Sequence, residues 1–78
     1  MTDGIDMTVE SLKEQLNEIK LKLSQLRKSG LNTRIAELKI MSIPSKIMML
    51  EVTRDYKDMQ KIAKLIADAK AEADNIKS

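Results

Sequence analysis

The residue types missing from this chain of 78 residues restrict its chemistry more than those present. It has no Cys and no His. Disulfide frameworks, Cys/His zinc sites, thiol nucleophiles and Ser-His triads are therefore excluded. Glu10, Glu14 and Glu18 lie at i, i+4 and i+8, so a helix would place them on one face, where a hard cation could in principle sit between carboxylates. Bundle metal sites need Glu-x-x-His or opposing carboxylates inside a core, and the neighbouring Leu and Lys residues put these glutamates on the polar side. Tyr56 is the lone aromatic residue, expected as a capping hydroxyl beside a turn rather than a general acid. Glycine occurs only at Gly4 and Gly30, too isolated for a phosphate-binding loop. The expectation is a non-enzymatic protein with no cofactor, no metal and no small-molecule substrate.

Two other residue groups invite a binding role. Residues 1–18 carry a net charge of −4 and residues 19–46 a net +6, within a total of +2. Around Gly30, Arg27, Lys28 and Arg34 form a basic tip able to contact an anion such as phosphate. Nucleic acid is not the expected partner, because base-stacking aromatics, a dense Lys/Arg run and a base-reading helix are all missing. Dipole-complementing cations on a solvated face account for the same residues. The methionines Met41, Met48, Met49 and Met59 are expected to fill gaps around a kink at Pro44, the alternative being a groove for a partner.

These side chains depend on helices for their positions. Val9, Leu12, Leu16, Ile19, Leu23 and Leu26 recur in steps of three and four, a heptad stripe that predicts a helix over about 8–29. Thr8 is the expected N-cap, and Gly30 the left-handed residue that ends the helix behind Arg27 and Lys28. Asn32 is a candidate cap for a second helix over about 32–53, kinked near Ile43 by Pro44. Its apolar pattern runs on two sides. Ala36, Ile40, Ile43, Ile47 and Leu50 form one stripe, and Ile35, Leu38, Met49 and Val52 a second, with Ser42 and Ser45 in its matching positions. A turn at 53–55 would start a third helix over about 55–77, carrying Met59, Ile62, Ala63, Ile66, Ala69, Ala73 and Ile76.

The chain thus reads as all-α, an antiparallel three-helix bundle of residues 8–78 preceded by a disordered N-terminus at 1–7. Without a turn at 53–55, Met49, Val52, Tyr56, Met59, Ala63 and Ile66 keep helical spacing. The alternative is therefore a hairpin with one long, kinked C-terminal helix that oligomerises like a coiled coil. No segment approaches the roughly 18–20 apolar residues of a membrane span. No export feature is visible, so a cytoplasmic location is expected.

A helical chain this short, with no disulfide, gains from association. The broad apolar surface of the second helix points the same way. The expected function is a protein–protein interaction module, a homo-oligomeric scaffold (a dimer or higher) or an adaptor for another helical protein. Ile40, Ile43, Ile47, Met48 and Leu50 are its expected interface. Weak nucleic-acid binding through the basic tip is one alternative, and a small regulatory subunit or cap of a larger complex another.

Overall fold

The computed structural model describes the backbone of residues 4–76 and the side chains of residues 8–76. Four helices follow in order: α1 (Gly4–Lys28), α2 (Arg34–Met41), α3 (Ile43–Thr53) and α4 (Tyr56–Asn75). Only Ser42 separates α2 from α3, so the two make one kinked middle arm. The architecture is a three-helix bundle. Lys13 on α1 meets Glu51 late in the arm, Arg27 meets Glu37 early in it, and Lys22 and Asp74 pair near the ends of α1 and α4. The outer helices therefore run parallel to each other, and the arm runs antiparallel to both. The molecule is elongated, 46 × 18 × 16 Å, as a helix of 25 residues requires at about 1.5 Å per residue.

The heptad stripe of α1 does what its spacing predicts. Val9, Leu12, Leu16, Ile19 and Leu23 are buried, and Leu26 packs against the same core. From the arm come Ala36, Ile40, Ile43, Ile47 and Leu50, and from α4 Ile62, Ile66, Ala69 and Ala73. Ala69 and Ala73 are fully buried, small side chains at the seam of α4 with its neighbours. Burying each of the larger ones stabilises the fold by about 1.5–3 kcal/mol relative to exposure.

The ends of the elements follow from identifiable residues. Gly30 has φ +85, and the amides of Gly30 and Leu31 donate to the carbonyls of Arg27 and Leu26. These two hydrogen bonds are the Schellman closure of α1. Asn32 shapes the start of the arm through its side chain, whose Oδ1 accepts the Arg34 amide at 3.0 Å. The helix itself begins two residues later than expected. Pro44 falls in the first turn of α3, where the amide it lacks has no helical partner. The break therefore appears at Ser42, one residue before the expected kink. The turn at 53–55 is present, so the long-arm hairpin is not the fold. Arg54 is left-handed there (φ 52, ψ 35), and the Asp55 carboxylate caps α4 by accepting the Lys57 amide at 2.9 Å.

The start of α1 departs from expectation. Thr8 lies inside the helix, which begins at Gly4, because Ile5, Asp6 and Met7 include no helix breaker and let a nucleated helix extend backward by a turn. Of the expected disordered N-terminus 1–7, residues 1–3 lie outside the described residues and 4–7 belong to α1. Lys77 at the end of the expected third helix also lies outside them.

Candidate functional site

The two apolar stripes of the middle arm have separate fates. The inner one, Ala36, Ile40, Ile43, Ile47 and Leu50, stays in phase across the Ser42 break and is buried throughout. Four of the five residues expected to form an interface, Ile40, Ile43, Ile47 and Leu50, belong to it. They are corrected to core positions. α1 and α4 already cover them, and no partner can reach them without opening the bundle. Met48 alone of the five is exposed.

The surface available for association lies on the opposite side. Leu38, Met41, Met48, Met49 and Val52 are each 57–80% exposed, and Ile35 extends the patch toward the start of α2. Leu38, Met41, Ser45, Met48 and Val52 follow steps of 3, 4, 3 and 4, the seam of a coiled coil. Ile35, Leu38, Ser42, Ser45, Met49 and Val52 make a second set in steps of 3, 4, 3, 4 and 3. Together they form a continuous outward face with no charged side chain among these eight positions. Three of the four methionines expected to fill the kink, Met41, Met48 and Met49, stand on this face, and only Met59 packs against the core. An open groove of about 630 Å³ between α1 and α3, bordered by Lys20, Pro44 and Met48, continues the face sideways toward α1.

Ion pairs tie the arm to both neighbours, and one joins those neighbours to each other. The Lys13 ammonium lies 2.7 Å from Glu51, and this hydrogen bond holds it above the ordinary lysine range. Lys39 reaches across to α4, 3.1 Å from Asp68 and 3.6 Å from Glu72. Its bond to Asp68 is the main cause of its raised pKa. The partnership with Lys22 lowers that of Asp74.

The basic tip is only partly assembled. Arg27 and Lys28 end α1, and Arg34 opens α2, all three exposed. Arg27 turns toward Glu37 at 3.4 Å, which neutralises part of the cluster. Glu10, Glu14 and Glu18 are exposed along α1. Tyr56, exposed at the first position of α4, is not the capping group, since the Asp55 carboxylate takes that role.

Among the described residues, no helix is long and apolar enough to cross a membrane. Comparison with family models, curated proteins and solved structures brings no match, so the role of the outward face rests on its own geometry.

Proposed function

We propose that this chain is a non-enzymatic protein–protein interaction module whose working surface is the outward face of the middle arm. One observation carries the reading. A helix already packed on both neighbours presents a second, uncharged heptad stripe to solvent. Monomeric proteins rarely leave such contiguous apolar area uncovered, and an aliphatic seam of this spacing suits docking against another helix. Its methionines suit it further, because the unbranched thioether side chain adapts to the partner's shape. The basic tip supports nucleic-acid binding less well, since Arg27 is engaged by Glu37.

The test is a photo-crosslinking amino acid placed at Met48, with Lys64 on exposed α4 as the control position. Cells producing the protein should yield a crosslinked polypeptide from position 48 and none from position 64. Adding Met41→Glu and Val52→Glu should abolish that product while the helical circular dichroism stays unchanged. Equal capture at both positions, or none at 48, would reject the outward face as a docking surface.

A further inference from the structure

We infer that the occupant of the outward face is a second copy of this chain, docked antiparallel about a two-fold axis that passes beside Ser45. The inference rests on the reading of that face as a docking surface and adds which partner it takes and in which direction. An isologous dimer requires a patch complementary to itself after the axis reverses it. The outward face meets this condition between residues 38 and 52. Leu38 and Val52 stand seven residues either side of Ser45, and Met41 and Met49 four either side. Ser42 and Met48 stand three either side, so a small side chain on one copy receives a flexible one from the other. At the centre Ser45 faces its own counterpart, and its small side chain lets the two arms approach closely.

The charges choose the direction. The Gly30 end of the molecule is basic, with Arg27, Lys28 and Arg34 against Glu37. The other end is balanced, with Glu10, Glu14, Glu51, Asp55 and Asp58 against Lys13, Arg54, Lys57, Lys61 and Lys64. Parallel docking would set Arg34 against Arg34. Antiparallel docking instead sets it beside Tyr56 in a turn where Arg54 and Lys57 balance Asp55 and Asp58, so like charges are not stacked on one another.

The area agrees with a dimer as well. Five large side chains, each more than half exposed, with Ile35 beside them, present several hundred Å². One side of a standard interface is about 800 Å², and the groove beside Met48 can supply part of the remainder.

Because the chain has no cysteine, single cysteines report the geometry cleanly. Purified protein should sediment as a dimer. Oxidised Ser45→Cys should form a covalent dimer. Leu38→Cys should stay uncrosslinked alone and crosslink when mixed with Val52→Cys. Met41→Glu combined with Met49→Glu, both at exposed positions, should weaken dimerisation at least about a hundredfold by burying unpaired charge and leave the helical signal intact. A monomer at every concentration, a dimer indifferent to the glutamates, or Leu38→Cys crosslinking to itself would each overturn the inference. A monomer that still captures a different protein through position 48 would overturn only the second-copy assignment. Absence of capture at position 48 would sink the docking surface as a whole.

Discussion

Among the described residues two hold left-handed backbone, and their chemistry predicts opposite responses to substitution. Gly30 (φ +85) closes α1, and a Cβ added there would meet nothing within 4 Å. Gly30→Ala therefore costs only backbone strain, about 1 kcal/mol. Arg54 (φ 52) bears the same strain with a full side chain. Arg54→Gly should remove it, raising stability by up to about 1 kcal/mol after the greater entropy of glycine in the unfolded chain is offset. Urea melts of the two variants should shift in opposite directions. A sharper contrast comes from adjacent residues in the arm, since Ile47 is 2% exposed and Met48 69%. Ile47→Asp buries an unpaired carboxylate and should abolish the helical signal outright. Met48→Asp should leave the monomer folded and act only on association. Equal loss of circular dichroism in both would contradict the placement of the two stripes.

At the scale of the elements, what was legible in the sequence depended on whether one residue carried the signal. The heptads of α1, the Schellman glycine and the Pro44 break were readable, because each follows from spacing or from a residue with a restricted backbone, whereas the turn at 53–55 stayed open because apolar spacing continues across it. The left-handed turn geometry at Arg54 gave no such sign, since arginine does not announce a positive φ. The choice between the arm's two stripes was harder. Both have helical spacing, and periodicity alone does not say which one turns inward. Composition held a usable signal. The inner stripe is Ala, Ile and Leu throughout, whereas the outer one includes Ser42 and Ser45. Those hydroxyls would need hydrogen-bond partners if buried. Reading the serines as marks of the exposed side would have moved the expected interface from Ile40, Ile43, Ile47 and Leu50 to Leu38, Met41, Met49 and Val52. Thr8 misled for a related reason. It is a good cap by type, but Ile5, Asp6 and Met7 just ahead of it include no breaker and continue the helix.

For the molecule as a whole, ion pairs link each helix to its neighbours at the surface of the core. Lys13–Glu51 joins α1 to α3, Lys22–Asp74 joins α1 to α4, and Lys39 joins α2 to Asp68 and Glu72 on α4. All lie at the surface, so each adds little and is screened by salt. Their pH dependence nevertheless has a definite sign. Asp74 is held below the ordinary aspartate range by its bond to Lys22. Its contribution is therefore present above that range and disappears as pH falls through the lowered value. Lys13 and Lys39 are held above the ordinary lysine range by Glu51 and Asp68. Theirs is complete below that range and disappears as pH rises through the raised values. The chain has no histidine. The urea midpoint should be level between about pH 5 and pH 9 and fall on both sides. Lys22→Met should flatten the acid limb, and Lys39→Met the alkaline one. High salt should reduce both limbs. A slope in the neutral range would mean that some group other than these pairs governs the charge balance of the fold.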